Sequence, residues 1–193
     1  MKHYFSENQE SELKLKTITV ILAKKEYTFF TSSGVFSKKK VDYGTKVLVN
    51  YMEINEDDKV LDLGCGIGIV GRVAATKTKN KVILTDVNKR AVKLAKMNTR
   101  KIRTIKVLHG NAFEKIKEKF DVILFNPPQA AGKKICYAMI KDSKDFLLKD
   151  GTLQVVARHN KGGGSLSEYM ESVFGNLKTI AKKGGYRVYV SKA

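Results

Sequence analysis

The sequence contains few of the residues that cross-link or interrupt a chain: its 193 residues include two cysteines, two prolines and no tryptophan. Cys65 and Cys136 lack the close spacing of zinc ligands, and the sequence therefore predicts no metal site. Two isolated cysteines are also too few for a disulfide-stapled secreted fold. A reduced, cytoplasmic protein is the expectation.

Long apolar segments are absent as well. No apolar run reaches the ~20 residues that span a bilayer, and the stretch from Met1 to Asn8 has no signal-peptide core. An apolar fraction of 42% suits a globular chain that is long enough to bury a core. The sequence thus predicts one domain, no membrane partner and no requirement for an oligomer.

Acidic residues are scarce relative to basic ones, because 37 lysines and arginines face 19 aspartates and glutamates and give a net charge of +18. Such an excess favours a polyanionic partner, most simply nucleic acid. The alternative is a lysine-rich or heat-adapted surface, since only six of the basic residues are arginine. Those surfaces usually balance lysine with glutamate, which this sequence does not, so the charge favours nucleic acid.

From Lys59 onward the sequence repeats a rhythm of strand, loop and helix, and ahead of it Asp42 is placed to cap a further helix. The rhythm predicts an α/β fold: a Rossmann-like, seven-stranded, mostly parallel sheet covered by helices on both faces, with a C-terminal antiparallel hairpin. The predicted strands are 59–63, 81–85, 105–109, 120–125, 151–157, 177–181 and 186–190, and the predicted helices are 69–77, 88–101, 133–148 and 165–174.

The N-terminal part predicts a short β appendage, with strands at 17–23 and 27–31 joined by a turn at Lys24–Glu26. We therefore divide the chain into an N-terminal tail with a β-hairpin, residues 1–31, and one α/β domain, residues 32–193.

A glycine-rich loop joins the first parallel strand to its helix. Gly64, Gly66 and Gly68 allow the backbone to turn sharply and leave no side chains in the way of a ligand. The following helix directs free N–H groups into the same space. The pattern indicates a nucleotide-cofactor loop, which dinucleotide enzymes and S-adenosylmethionine enzymes share.

Asp86 ends the next strand, about 20 residues after the loop, where an acid suits hydrogen bonds to two ribose hydroxyls. An ordinary helix-capping turn with Asn88 is the alternative. The third strand then ends in a tip that lies beside the adenine in this architecture. There Asn111 could bond the adenine, and Phe113 or Ile67 could cover its face, although an ordinary loop with a buried phenylalanine fits equally well. We interpret His109 as a strand-end histidine rather than a catalyst.

The corner Asn126-Pro127-Pro128 follows the apolar fourth strand and contains both prolines of the chain. Two successive prolines fix φ and remove two backbone donors, so the corner is stiff and rich in acceptors. Alone, it is as consistent with a strand-ending turn as with a catalytic corner. Parallel strands bind ligands at their carboxyl ends, however, and four such ends carry Gly64, Asp86, Asn111 and Asn126.

Taken together, the run Asp62–Gly68, the acid Asp86 and the corner Asn126–Pro128 resemble the motifs of class I S-adenosylmethionine-dependent methyltransferases. The corner resembles that of enzymes which methylate planar amino or amide nitrogens.

The resemblance can be narrowed. The stretches Phe30–Ser37, Asp42–Thr45 and Asn126–Lys133 are similar to the small methyltransferase domain family, which includes ribosomal RNA guanine-N2 methyltransferases of the RsmC type and single-domain archaeal relatives. The resemblance covers roughly residues 27–193.

S-adenosylmethionine is the cofactor that this resemblance implies. Asn126, Pro127 and Pro128 would be catalytic, since the Asn126 amide oxygen and the Pro127 carbonyl can accept the two N–H bonds of an exocyclic amine and aim its lone pair at the methyl group. The expected cofactor-binding residues are Asp62, Gly64, Cys65, Gly66, Ile67, Gly68, Asp86, Val87, Asn111, Ala112 and Asn126.

The expected substrate is RNA, either rRNA or tRNA, with guanine as the target base, which must leave its stack or be single-stranded already. Basic clusters at 38–40, 133–134 and 158–161 lie near the predicted edge, and glycines 162–164 would let the last of them move. For any single lysine, a solvated surface position is the alternative. The candidate substrate-binding residues are Phe36, Gln129, Lys133, Arg158 and Lys161.

The sequence departs from the family pattern in three respects. Gln129 stands where many Asn-Pro-Pro enzymes have an aromatic residue that stacks on the base, so Phe36 or another ring would have to stack. Asn111 stands where an aspartate is usual. The bacterial rRNA enzymes also carry a second, N-terminal methyltransferase-like domain, for which we expect this chain to be too short.

Three other functions remain open. A dehydrogenase shares the glycine loop and Asp86 but gives no reason for Asp62 or the proline corner. A methyltransferase could act on a protein glutamine or on adenine in DNA. The fold could also serve as a non-catalytic RNA-binding module, against which the intact corner argues.

Overall fold

The computed structural model describes residues 7, 14–36, 40–128 and 132–193, and within these ranges the chain forms nine strands and five helices. The strands are β1 (Lys16–Leu22), β2 (Lys25–Thr31), β3 (Val60–Leu63), β4 (Val82–Asp86), β5 (Ile105–His109), β6 (Phe120–Phe125), β7 (Leu147–Arg158), β8 (Lys178–Lys183) and β9 (Tyr186–Lys192). The helices are α1 (Tyr43–Tyr51), α2 (Ile69–Ala74), α3 (Lys89–Thr99), α4 (Lys133–Ser143) and α5 (Gly163–Phe174).

Seven of the strands form one sheet in the order β5-β4-β3-β6-β7-β9-β8. The strands from β5 to β7 pair in parallel, whereas β9 pairs antiparallel with both β7 and β8. The predicted α/β class, the mostly parallel sheet and the C-terminal hairpin are confirmed. Because the strand order reverses between β3 and β6, a crevice opens at their carboxyl ends, which is where open parallel sheets bind ligands.

Two apolar clusters cover the two faces of this sheet. One packs α1, α2 and α3 against the strands, and the other packs α4 and α5. Successive side chains of β6 lie on opposite faces of the sheet. Val122 and Leu124 belong to the first cluster, and Ile123 and Phe125 belong to the second. Both faces are therefore buried, which explains why the strand is apolar throughout.

The N-terminal hairpin forms a separate two-stranded sheet of β1 and β2. The Asn98 side chain accepts a hydrogen bond from the Phe30 N–H at 2.7 Å and donates one to the Phe30 carbonyl at 3.0 Å. Arg72 donates to the Thr28 carbonyl at 2.8 Å, and its guanidinium lies 5.0 Å from the ring centre of Phe29. These contacts hold the hairpin on α2 and α3. The domain boundary after residue 31 stays a prediction.

One predicted helix is too long. The helix expected over 133–148 ends at Ser143, because Lys144–Phe146 form a 3-10 turn and Leu147 begins β7. Leu147 pairs with Phe120 in the sheet and is buried. This tertiary pairing outweighs the helical periodicity that the sequence suggests.

The turn of the N-terminal hairpin also differs from the predicted Lys24–Glu26. It consists of Ala23 and Lys24, whose φ angles of 45° and 64° lie in the left-handed region, and Lys25 already belongs to β2. Positive φ at both central residues matches the twist of a two-residue hairpin, so the turn is one residue shorter than predicted and Leu22 pairs with Lys25.

Among the described residues, no helix has the length and apolarity needed to cross a membrane.

Candidate active site

The corner after β6 is tied to the start of α1. Asn126 donates a hydrogen bond from Nδ2 to Oγ1 of Thr45 at 3.0 Å. Thr45 lies in the first turn of α1, where its backbone N–H donates to the capping carboxylate of Asp42 at 3.1 Å. The capped helix start therefore fixes which way the amide of Asn126 is oriented.

The same corner presents hydrogen-bond acceptors that have no partner within the described ranges. No hydrogen bond there uses the amide oxygen of Asn126 or the carbonyl oxygen of Pro127. Neither Pro127 nor Pro128 has a backbone N–H that could donate to them. Thr45 accepts one of the two N–H bonds of the Asn126 amide nitrogen, and Oδ1 is the acceptor of this side chain that stays available.

These acceptors border a cavity of about 300 Å³ at the carboxyl ends of the parallel strands. This volume is at the lower end of the range for small-molecule sites. The three residues of the corner line it. The other predicted site residues in its wall are Phe36, Asp62, Gly64, Cys65, Gly66, Ile67, Asp86, Val87, Asn111 and Ala112.

Two glycines of the loop after β3 form an open part of this wall. Gly64 and Gly66 have φ angles of 69° and 55°, and a Cβ added to either would meet no atom within 4 Å. Gly68 differs, because it is absent from the cavity wall and a Cβ there would lie 3.2 Å from Ala95 and from Leu84. Gly68 directly precedes α2 and has a φ of 84°. It therefore packs beneath the loop and does not line the cavity.

Asp86 connects this loop to the end of β4. One carboxylate oxygen accepts the N–H of Gly66 at 2.8 Å and the other accepts the N–H of Asn88 at 2.8 Å. Burial raises the pKa of Asp86, and these two N–H donors oppose that shift by favouring the charged form. Asn88 itself caps α3 through its side chain. The sequence left two alternatives for Asp86, a ribose-binding acid and part of a helix-capping turn. Because Asn88 provides the cap, the two roles are compatible.

Asp62 is a buried carboxyl in the cavity wall. Only 3% of it is exposed, and Oδ2 accepts the N–H of Gly71 at 2.7 Å. Burial raises the pKa of Asp62 to about 7, the Gly71 hydrogen bond opposes the shift, and the charge of Asp86 adds to it. Within the described residues Oδ1 has no hydrogen-bond partner, so Asp62 offers the cavity an acceptor suited to a cation.

Cys65 also lines the cavity, but its thiol is held in the neutral form. Burial raises its pKa well above the ordinary value, and the charges of Asp86 and Asp62 act in the same direction. Because the thiolate is the reactive form of cysteine, the site does not provide a nucleophile at this position.

Several predicted residues lie elsewhere. Phe113 is absent from the cavity wall and stacks on Phe146 at 4.4 Å in the second core cluster. His109 is also outside it, and its Nε2 donates to the Val87 carbonyl at 3.0 Å. Gln129 falls outside the described residues.

Part of the wall consists of residues that the sequence did not predict. Thr45 approaches from α1, and Ile135 and Met139 approach from α4. For Thr45 the only signal was its place in a stretch similar to the small methyltransferase domain family. The exposed Ile135 follows two lysines and gave no signal of its own.

A second cavity of about 70 Å³ adjoins the first at Asn126 and Pro127, which line both. Three predicted substrate residues meet in its wall, namely Lys133 from α4, Arg158 at the end of β7 and Lys161 from the turn that follows it. The structure thus brings Lys133 beside Arg158 and Lys161, which lie on a later segment of the sequence. Across the described ranges, no group of three or more histidine, cysteine, aspartate or glutamate side chains could hold a metal ion.

Comparison with known proteins identifies the family of this architecture. The model of the methyltransferase small domain matches residues 26–190. The uncharacterized protein YbxB of Bacillus subtilis is 36% identical over 198 aligned residues, which cover 100% of this chain and 98% of that protein. Ribosomal RNA small subunit methyltransferase C of Actinobacillus succinogenes is 33% identical over 170 residues, covering 84% of this chain and 50% of that protein.

A solved structure shares the fold. The 16S rRNA N2 G1207 methyltransferase RsmC of T. thermophilus, in complex with AdoMet and guanosine, superposes with a TM-score of 0.80 at 22% identity. The match covers 96% of this chain and 52% of that one, so the chain spans about half the length of the RsmC proteins and nearly all of the Bacillus protein. The chain belongs to the methyltransferase small domain family.

Proposed function

We propose that this chain is an S-adenosylmethionine-dependent N-methyltransferase that acts on the exocyclic amine of guanine in RNA. One observation carries the proposal: Asn126 Oδ1 and the Pro127 carbonyl are acceptors without partners at the wall of a cofactor-sized cavity. Two acceptors on one rigid corner match the two N–H groups of an exocyclic amine. The predicted cytoplasmic location stays a prediction.

The cavity fits S-adenosylmethionine, which is the cofactor of this family. The space beside Gly64 and Gly66 accommodates a ligand against the backbone. Each oxygen of Asp86 already accepts one N–H and retains a lone pair for a ribose hydroxyl. Asp62 Oδ1 suits the ammonium group of the amino-acid part, and Asn111 and Ile67 are available for the adenine.

The corner would activate the substrate nitrogen by hydrogen bonding. The lone pair of an exocyclic amine is delocalised into the ring, which makes the amine a poor nucleophile. Oδ1 of Asn126 and the carbonyl of Pro127 would accept its two protons, draw the nitrogen toward tetrahedral geometry and orient its lone pair. Bound S-adenosylmethionine supplies an electrophilic methyl group on a positively charged sulfur.

Proton removal needs no strong base in this scheme. After transfer the nitrogen carries a positive charge, and the proton held by Asn126 Oδ1 becomes acidic enough to pass to water. This agrees with a wall in which Asp62 and Asp86 are bonded to backbone N–H groups and Cys65 is a neutral thiol. The amide of Asn126 therefore acts by positioning, and Thr45 holds that amide in place.

RNA is the proposed substrate for two reasons. The net charge of +18 suits a polyanion, and cations gather beside the corner at Lys133, Arg158 and Lys161. The relatives named ribosomal RNA small subunit methyltransferase C and the T. thermophilus enzyme, named for N2 of G1207 in 16S rRNA, support guanine as the target. Phe36, which lines the main cavity, is the proposed stacking ring.

The test uses methyl-labelled S-adenosylmethionine with total rRNA, total tRNA and a protein extract as separate acceptors, followed by identification of the labelled group. We expect N2-methylguanine in RNA. Asn126→Ala should lower the rate at least about a hundredfold while the affinity for S-adenosylmethionine stays close to that of the wild type.

Asn50→Ala is the matched control, because Asn50 is exposed on α1 and its amide oxygen serves only the Ala23 N–H at the hairpin turn. If the label appears in protein glutamine or in adenine, the substrate is not guanine in RNA. Wild-type turnover by Asn126→Ala would refute the mechanism, and binding of S-adenosylmethionine without transfer to any acceptor would favour a non-catalytic module.

A further inference from the structure

The second cavity is lined by cations and by no carboxylate of the described residues. Lys133, Arg158 and Lys161 are the charged residues of its wall. Within those ranges Arg158 and Lys161 form no ion pair and donate no side-chain hydrogen bond, and Lys133 Nζ contacts only Ser165 Oγ at 3.3 Å. Three positive charges without a counter-charge around one small cavity favour an anion.

The backbone around this cavity has the same polarity as the side chains. Gly132 and Gly162, which precede α4 and α5, line it, and neither helix has a side-chain cap. The N–H groups of the first turns of both helices are therefore available, and the helix dipoles add positive potential there. The contact between Lys133 and Ser165 ties the two helix starts together.

The remaining wall is formed by residues of the sheet and of the two helices. Val156 and Ala157 of β7 line it together with Tyr186, which pairs with Arg158 between β7 and β9, and Cys136 of α4 and Leu166 of α5 complete it. The ring of Tyr186 lies 5.7 Å from that of Tyr43 at the start of α1. The volume of about 70 Å³ suits a small anion rather than a second nucleotide.

From this arrangement we propose that the second cavity is a phosphate-binding site, and that it holds a phosphodiester of the substrate RNA next to the target nucleotide. Asn126 and Pro127 separate it from the cofactor cavity, so a phosphate bound there would fix the RNA backbone beside the acceptors of the corner. The RNA source rests on the proposed function, whereas the binding of phosphate does not.

The first arm of the test probes the cavity with inorganic phosphate and follows the backbone amides of the full chain by NMR. We expect saturable shifts at residues 133–135 and 163–165 in the wild type. They should disappear in the double variant Arg158→Gln/Lys161→Gln. The matched control is Arg103→Gln/Lys106→Gln, which removes the same two charges from exposed positions on and before β5, at the far side of the sheet.

The second arm measures methyl transfer to total rRNA. Arg158→Gln/Lys161→Gln should raise the KM for RNA by about tenfold, as expected for two lost charge-assisted contacts, with little change in kcat or in cofactor affinity. The control lowers the net charge by the same amount but leaves the cavity intact, so it should resemble the wild type.

Three results would overturn the proposal: diffuse phosphate shifts, equal shifts in the site variant, or an equal rise in KM in both variants. If phosphate binds at these amides but Arg158→Gln/Lys161→Gln leaves the KM for RNA unchanged, the cavity binds an anion that does not belong to the substrate RNA. If the wild type methylates no RNA, the proposed function fails, and the phosphate titration still decides whether the cavity binds the anion.

Discussion

Asn126 and Thr45 are 81 residues apart in the sequence, and their side chains meet in a hydrogen bond of 3.0 Å at the wall of the larger cavity. The bond gives the amide of the Asn-Pro-Pro corner a defined orientation, with the nitrogen held by α1 and the oxygen left for a ligand. The orientation of the corner amide therefore depends on a residue of the segment that precedes the parallel sheet.

Replacing Thr45 by valine should lower kcat about tenfold, since a lost hydrogen bond of ~1 kcal/mol allows the amide to rotate away from its productive orientation. The affinity for S-adenosylmethionine should change little. Thr45→Ser retains the hydroxyl and should restore most of kcat. Steady-state kinetics with calorimetric cofactor binding would measure both, and a wild-type kcat for Thr45→Val would show that Thr45 does not position Asn126.

The buried carboxyl of Asp62 should make stability depend on pH. Burial raises its pKa to about 7, from an ordinary value of 3.8, so between these two pH values the folded state holds a proton that the unfolded state has lost. Stability from this group is fully present below pH 3.8 and is lost as pH rises through 7. Asp86, whose pKa is also raised, acts in the same direction.

Asp62→Asn should therefore be more stable than the wild type at pH 8, by up to roughly 4 kcal/mol at ~1.4 kcal/mol per pKa unit, and similar to it at pH 4. The same variant should bind S-adenosylmethionine more weakly, because an amide does not neutralise an ammonium group. Urea unfolding of both proteins at the two pH values measures the difference. An equal gap in stability at both would contradict the raised pKa.

Gly71 should be intolerant of a side chain for reasons of packing. A Cβ there would lie 2.6 Å from Cγ and Cδ1 of Leu84, and the same residue donates the N–H that Asp62 accepts. Gly71→Ala should lower the free energy of unfolding by about 1–3 kcal/mol.

The matched control for Gly71 is Gly164→Ala in α5. Its Cβ would come no closer than 3.4 Å to His159, and alanine favours a helix, so stability should stay equal or rise by up to ~1 kcal/mol. Denaturant titrations of both variants give the comparison. Equal losses would mean that the contact with Leu84 is not the cause.

Cys65 should be dispensable for chemistry despite its place in the cavity wall. Burial and two neighbouring carboxylates keep its thiol neutral. Cys65→Ala should keep most of the wild-type kcat in the methyl-transfer assay. A complete loss of turnover, with cofactor binding intact, would require a role that its raised pKa does not support.

The sequence by itself determined the alternation of strands and helices and the residues at the strand ends. Both follow from short-range effects: apolar periodicity, the backbone freedom of Gly64 and Gly66, and the two prolines that stop β6. The structure confirmed the sheet, and the predicted ends at Gly64, Asp86, Asn111 and Asn126 all reach one cavity.

Tertiary structure alone decided which distant residues share a wall. The bond between Thr45 and Asn126, the packing position of Gly68 and the gathering of Lys133 with Arg158 depend on strand order and on helices docking over the sheet. Local periodicity carries no information about those contacts, because they join segments tens of residues apart. The early end of α4 has the same cause, since sheet pairing with Phe120 took Leu147 out of the helical pattern.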